Sequence, residues 1–421
     1  MSKICVLGLG YIGLPTASIL ATHGHQVVGV DVNQALVRRL RNGEVHIQEP
    51  GLNTLVQAGL NSGKLKVAEQ PEAADAFIIA VPTPISPDKR ADLGYVESAT
   101  RAILPHLQRG NTVILESTVP PGTTAGMFAA LLAESGLDPW TDLKVAHSPE
   151  RVLPGRILEE LVSNDRVTGG LTPAGAQSAS DIYASFVQGE IFMSDATTAE
   201  MVKLMENTYR DVNIALANEF ARRAQDLGID AIAAIKAANT HPFSHIHMPG
   251  VGVGGHCIPV YPHFLMDKET GGDMLQLPKL ARQINDGMPE YAVQLLQQQI
   301  PDLAGKNILI LGLAYRGDVK ETAFSPTLKL INALKQRGAN VLVHDPLYTR
   351  EEIARYGADS VVFNNGHLRI DAAILQAYHK EYRHMDWTRL AGCRVVIDGR
   401  NVLNREQIEA HNLTYVGIGR S

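Results

Sequence analysis

Short apolar, β-branched runs recur along the N-terminal half, separated by stretches with helical spacing. Lys3–Leu7 (KICVL), Gln26–Asp31 (QVVGVD), Ala76–Val81 (AFIIAV), Thr112–Leu115 (TVIL) and Lys144–Ala146 read as strands. A helical stretch through His23 follows the first of them. Strands alternating with helices predict parallel βαβ units in a doubly wound sheet. From Ala199 the character changes: no Gly or Pro occurs until Gly228, and apolar positions recur at helical spacing. Such a helix suits a connector between two α/β domains and a dimer contact. A glycine- and proline-rich loop, Pro242–Pro262, and a helical patch from Leu277 to about Ile300 come next. A second α/β pattern starts near Lys306, with strands at Asn307–Leu311, Asn340–His344 and Arg394–Asp398 and a helix at Ser325–Arg337. The expected architecture is two doubly wound parallel-sheet α/β domains joined by a long central helix and a helical region, divided as 1–198, 199–300 and 301–421.

Composition narrows the class. A chain of 421 residues exceeds one ordinary core. Its 45% hydrophobic and 19% charged residues fit a folded, soluble protein. A net charge of −6 gives no reason to expect a nucleic-acid or membrane-surface partner. There is no apolar run long enough for a membrane span, and the first strand begins at Lys3, so no leader is expected. Cys5, Cys257 and Cys393 are odd in number and far apart, which points to a reducing, cytoplasmic compartment.

The candidate chemistry starts at Gly8, Gly10 and Gly13, a G-x-G-x-x-G between strand and helix. Such a turn brings a diphosphate against bare backbone at a helix N-terminus. Asp31 ends the second strand, where a carboxylate can hydrogen-bond ribose hydroxyls and repel a 2′-phosphate, favouring NAD over NADP. Val81-Pro82-Thr83-Pro84 and Glu116-Ser117-Thr118 follow strands, at the end of the sheet that binds ligands; Thr83 and Thr118 suit cofactor contact, while Ser117 is as well explained by an ordinary turn. Lys203, Asn207 and Arg210 share one face of the long helix, as a polar site or as a solvated stripe. In Pro249–Pro259 (PGVGVGGHCIP) four glycines precede Cys257. They allow a substrate close to the backbone, and a thiolate there would add to an aldehyde. His256 is assigned a structural or substrate-contact role. In SPERVLPG, Glu150 could orient water and Arg151 could contact sugar or phosphate; the alternative for the two is a surface turn with an ion pair. Arg400 of Asp398-Gly399-Arg400 could clamp phosphate. Gly312 is followed by LAYR, so a second dinucleotide turn of the same kind is not expected. No metal-ligand set is assigned.

Taken in order, GLGYIGLP, VDVN, EPGL (Glu49–Leu52), VPTP, ESTVPPGT, SPER, the K-x-x-x-N of Lys203 and Asn207, GVGGHC, GLAYRGD and DGR resemble the UDP-glucose/GDP-mannose dehydrogenase family over essentially the whole chain. PERVLPG followed by NDRVTGG resembles the branch acting on UDP-N-acetylhexosamines, the UDP-N-acetylmannosamine dehydrogenases in particular. The resemblance implies a Rossmann-like NAD domain, a central dimerisation segment forming a homodimer, and a C-terminal domain holding the UDP-sugar. It also implies a four-electron oxidation of a C6 alcohol with two NAD⁺, through a thiohemiacetal and thioester on Cys257. Lys203 and Asn207 would stabilise oxyanions, and Glu150 and Thr118 would handle water. Tyr11, Ile12, Asp31, Pro82, Thr83 and Thr118 match NAD contacts. Arg151, Val152, Leu153, Lys203, Asn207, Arg210, His241 and Gly254 match substrate contacts, and Tyr315, Arg316 and Arg400 match the UDP-binding domain. The sequence departs from the family pattern at Tyr261, where Asp is usual, and at Phe243 and Ala323, where Arg is usual. Tyrosine, with a pKa near 10, is a poor base at pH 7, so either a neighbour or water compensates or the later step is slowed. UDP-glucose oxidation, a two-electron dehydrogenase and a non-catalytic nucleotide-sugar-binding protein stand as alternatives.

Overall fold

The computed structural model describes residues 1–267, 271–363 and 368–420. The first apolar run forms strand β1 (Lys3–Leu7), buried from its second residue. It is joined by β2 (Gln26–Val30), β3 (Leu65–Ala68), β4 (Ala76–Ile79), β5 (Thr112–Leu115), β6 (Lys144–His147), β7 (Arg166–Gly170) and β8 (Ile191–Asp195). Their order is β3-β2-β1-β4-β5-β6-β7-β8. Alternate side chains enter opposite layers, as the two-residue strand period requires: Ile4, Val6, Ile78 and Ile114 on one face, Cys5, Leu7, Phe77, Ile79 and Val113 on the other. The chain moves outward from β1 to β3 and then returns to β4 on the other side of β1. This reversal is the switch point at which open α/β sheets bind ligands.

A second sheet contains β9 (Asn307–Leu311), β10 (Asn340–His344), β11 (Asp359–Ser360), β13 (Ala372–Leu375), β15 (Val395–Asp398) and β16 (Thr414–Gly417). It has order β11-β10-β9-β13-β15-β16, every ladder parallel. A separate two-residue ladder pairs β12 (Leu368–Arg369) with β14 (Leu390–Ala391). The fold class is therefore the expected one, two parallel-sheet α/β layers and a long helix, Ala196–Leu227, of 32 residues. One refinement concerns the first sheet, where β6 and β7 run antiparallel. The edge strands β3, β8, β11 and β16, and β7 and β13 within their sheets, go beyond the strands read from the apolar runs.

By contact the chain divides into two compact units, Met1–Glu206 with His263–Gly272, and Asn207–Pro262 with Asp273–Ser421. Each is described by itself. No described helix is long and apolar enough to cross a membrane.

Candidate active site

In the first unit the glycine turn leaves β1 directly into the helix Gly13–Thr22. Gly8 has φ +92°, and a β carbon on it would lie 2.5 Å from the Ala80 carbonyl oxygen. A β carbon on Gly13 would sit 1.8 Å from the Gly8 carbonyl oxygen. Both glycines are needed for the turn to close against β4. Gly10 differs: a β carbon there would meet nothing within 4 Å, so its bare backbone faces open space. Asp31 supports the turn, its Oδ2 accepting from the Leu9 N–H at 2.9 Å and its Oδ1 from the Asn33 N–H at 2.8 Å. Each carboxylate oxygen keeps acceptor capacity for a ribose hydroxyl. A cradle open only at Gly10, a helix N-terminus and an acid at the end of β2 fit an adenine dinucleotide. Beside it, the Thr83 hydroxyl donates to the Thr118 carbonyl at 2.7 Å and the Ser117 hydroxyl to the Val81 carbonyl at 2.7 Å. These bonds tie the ends of β4 and β5 together next to the turn. Tyr11 and Pro82 are exposed; Ile12 and Thr83 are half-buried.

The SPERVLPG loop lies beyond β6. Glu150 accepts from the Arg151 N–H at 2.6 Å through Oε1 and from Arg166 Nη1 at 2.8 Å through Oε2. Arg151 is turned toward the long helix, its Nε 2.7 Å from Glu206 Oε1, and it also donates to the Asp165 carbonyl at 3.1 Å. Leu153 is exposed and Val152 half-buried. The loop is held by Glu49 of the EPGL motif, which accepts from the Gly155 and Ile157 N–H groups at 2.7 and 2.8 Å and so caps the helix Ile157–Ser163. Behind it, Glu116 and Arg166 are fully buried charges. Desolvation drives the Glu116 carboxyl up to about 7 against the pull of Arg166.

Along the long helix, Lys203 is half-buried, Asn207 buried and Arg210 exposed. Asp211 and Asn218, further along it, are buried. Arg282 pairs with Asp211 at 2.6 Å, and Asn218 accepts from the Gly250 N–H at 2.9 Å.

In the second unit the glycine-rich loop packs against the segment after β9. A β carbon on Gly254 would lie 2.6 Å from that of Tyr315 and 2.9 Å from the Phe324 carbonyl oxygen. The expectation that these glycines admit a substrate needs correction at Gly254: close packing on Tyr315 already requires glycine there. The loop nevertheless walls a cavity of about 460 Å³, also lined by Tyr315, Arg316, Tyr378 and Arg400. Arg400 donates to the carbonyl oxygens of Gln376, Gly252 and Tyr315. Among the described residues no carboxylate pairs with it. Burial pulls its pKa down to about 10, with Asp398 opposing. A desolvated guanidinium held by neutral oxygens is poised for an anion. Three residues beyond Gly254, Cys257 is exposed, its carbonyl accepting from the Tyr261 N–H at 2.9 Å. The His256 ring turns to Glu321 at 3.0 Å, and the hydrogen bond it supplies holds the Glu321 carboxyl below the usual range.

The comparisons decide what these two sites belong to. The NAD binding domain of the UDP-glucose/GDP-mannose dehydrogenase family matches residues 2–187, its central domain 197–287 and its UDP binding domain 309–405. The chain belongs to the UDP-glucose/GDP-mannose dehydrogenase family. A UDP-N-acetyl-D-mannosamine dehydrogenase of Methanocaldococcus jannaschii is 43% identical over 426 residues, covering 99% of this chain and 96% of that one. An NDP-N-acetyl-D-galactosaminuronic acid dehydrogenase of Ralstonia nicotianae is 41% identical, covering 97% of each. Among solved structures, a UDP-D-ManNAc dehydrogenase from Pyrococcus horikoshii superposes with a TM-score of 0.90 at 40% identity, covering 99% of each chain. This member of the family is an NAD-dependent UDP-sugar dehydrogenase.

Within this dehydrogenase, Gly8, Gly10, Gly13, Asp31, Thr83 and Thr118 gather at one end of the first sheet, and Gly254, Tyr315, Arg316 and Arg400 line one cavity. His241 and Arg210 are exposed; His241 stacks obliquely on exposed Phe243, ring centres 5.7 Å apart. Sequence reasoning gave Glu116 no role of its own and missed Arg166 and Tyr183 behind Glu150, and Met248 and Tyr378 in the cavity wall. Arg166 stands inside the quoted NDRVTGG, and a charged residue opening a glycine-rich strand was the available signal.

Proposed function

We propose that the enzyme oxidises the C6 alcohol of a UDP-N-acetylhexosamine, with UDP-N-acetylmannosamine preferred, to the uronate. The observation that carries this reading is one loop with two uses. Its glycines wall the Arg400 cavity, and Cys257 follows within about 10 Å of chain. A nucleotide diphosphate in the cavity would leave its sugar near an exposed thiol. Bound NAD⁺ supplies the hydride acceptor, twice per sugar. Cys257 adds to the aldehyde carbon as thiolate, and its sulfur departs when water cleaves the thioester. Lys203 and Asn207, one turn apart, donate to the successive oxyanions, and Glu150 with Thr118 places the water. In sum, one alcohol, two NAD⁺ and one water give one carboxylate, two NADH and three protons.

The three-part division at 198 and 300 remains our proposal for how the work is shared. So does a homodimer through the long helix, where Met205, Tyr209, Leu216, Phe220 and Leu227 are exposed on one side. The substrate preference rests on the relatives' names, and UDP-glucose is the second reading. The test is NADH yield and product mass over a panel of UDP-sugars. Turnover of UDP-glucose alone would defeat the substrate choice, and one NADH per sugar would defeat the four-electron route. Cys257→Ser should lose acid formation while the fold survives.

A further inference from the structure

Glu150 is one of three side chains that accept from a single buried guanidinium in the first unit. Glu116 follows β5, Ser148 and Glu150 follow β6, Arg166 opens β7, and Tyr183 ends the helix Pro173–Tyr183. Arg166 uses its whole fork: Nη1 donates to Glu150 at 2.8 Å, Nη2 to Glu116, and Nε to the Ser148 hydroxyl at 3.0 Å. Its guanidinium carbon lies 3.6 Å from the centre of the Tyr183 ring, and the Tyr183 hydroxyl donates to Glu116 Oε1 at 3.1 Å. Among the described residues the remaining Glu116 oxygen, also buried, has no hydrogen-bond partner. Two carboxylates therefore share one buried cation. Desolvation of this kind is rarely recovered as stability. What the arrangement does supply is a guanidinium with no freedom to rotate, and hence one fixed orientation for Glu150.

We propose that Arg166, clamped by Glu116, Ser148 and Tyr183, is the positioning residue that aims Glu150 at its water, and that Glu116 sets how much of the guanidinium's charge Glu150 receives. This rests on the role given to Glu150 above. The charged and titratable groups facing Glu116 are Arg166 from β7, Glu150 from the loop after β6 and Tyr183 from the helix; His147, paired in register with Leu115, stays neutral because burial holds it at about 3.

The test is a double-mutant cycle on the full-length enzyme with a UDP-sugar that it turns over. Arg166→Lys keeps the charge and loses the fork; kcat should fall by roughly 10–100-fold with KM for both ligands nearly unchanged. Adding Arg166→Lys to Glu150→Gln should cost little more than Glu150→Gln alone, because both act through one group. Glu116→Gln, nearly isosteric, should fold normally and lower kcat with KM nearly unchanged, since Arg166 then holds Glu150 undivided, and should add little to Glu150→Gln. If Arg166→Lys does not fold, the cycle of Glu116→Gln with Glu150→Gln alone decides. Multiplicative losses in either cycle, or a Glu116→Gln enzyme with wild-type kcat, would overturn the inference while leaving the dehydrogenase reading intact. Full activity in Glu150→Gln would instead remove the role of Glu150, and a wild-type protein inactive on every UDP-sugar would remove the functional reading; the inference falls with either.

Discussion

At the end of β1, Gly8 turns with φ +92° and its N–H donates to the Val30 carbonyl at 2.8 Å. At the end of β9, Gly312 turns with φ +101° and its N–H donates to the His344 carbonyl at 2.8 Å. An acid follows the neighbouring strand in each unit, Asp31 after β2 and Asp345 after β10. The likeness stops at what each acid has left to give. Asp31 accepts two backbone N–H groups. Asp345 accepts three, from Leu313, Ala314 and Leu347, and meets His379 Nε2 at 3.1 Å; it is buried. The first turn enters a helix at Gly13, whereas after Gly312 the next helix waits until Pro326. One frame thus serves as a ligand cradle where the acid keeps acceptor capacity and a helix N-terminus is at hand, and as internal scaffolding where neither holds.

The comparison can be broken most forcefully at Asp345. Asp345→Ala would orphan the Leu313 and Ala314 N–H groups in the interior and should lower unfolding free energy by about 3–6 kcal/mol, with NAD⁺ affinity of the folded fraction unchanged. A loss of NAD⁺ affinity with normal melting would show that the second acid also binds ligand. Gly13→Ala should come next, at about 2–4 kcal/mol by calorimetry, because its β carbon has nowhere to go.

A smaller effect should appear in acid. Burial holds His147, which ends β6, down at about 3, and His344, which ends β10, at about 4. Neutral rings of this kind give their full stability above the ordinary histidine value, about 6.5, and lose it as pH falls from there toward the folded value. The wild-type advantage over His147→Gln should therefore shrink by about 2 kcal/mol between pH 7 and pH 5. A constant difference across that range would mean that the ring is not held neutral. The mildest changes fall on the open side of the first turn. Gly10→Ala should melt within about 0.5 kcal/mol of wild type and Asp31→Asn, which keeps one of the two acceptors, within about 1 kcal/mol; both should bind NAD⁺ roughly tenfold more weakly, about 1.4 kcal/mol. Asp31→Asn should also narrow the preference over NADP⁺. Undiminished NAD⁺ binding in both would sink the cradle reading.

The first turn was legible in the chain because all its parts lie between Lys3 and Asp31 and each follows from local rules: a strand, glycines at fixed offsets, a helix, an acid. The strands that escaped reading share a different reason. β7 opens with Arg166 and ends in Gly169 and Gly170, whose missing side chains make room for Ala199 and the Thr172 carbonyl; no periodicity marks such a strand. The clamp behind Glu150 was illegible because charged residues read as surface until partners fifty positions away bury them together, as Arg166 and Glu116 do. The glycines before Cys257 were legible as a motif, but their packing on Tyr315 depends on a contact sixty positions away. Arg400 was readable at the end of its strand, though not its three carbonyl partners.

Glu49 shows how far such dependence reaches. Its carboxylate grips Gly155 and Ile157 across more than a hundred positions, so the segment after Leu153 owes its shape to a residue that a reader of local sequence would file under another motif. Over evolutionary drift the two segments should be inherited as a pair. A homologue that loses the acid at 49 should also have re-lengthened or re-capped the loop, and a graft of the loop alone onto a related scaffold should arrive slack unless the distant glutamate travels with it.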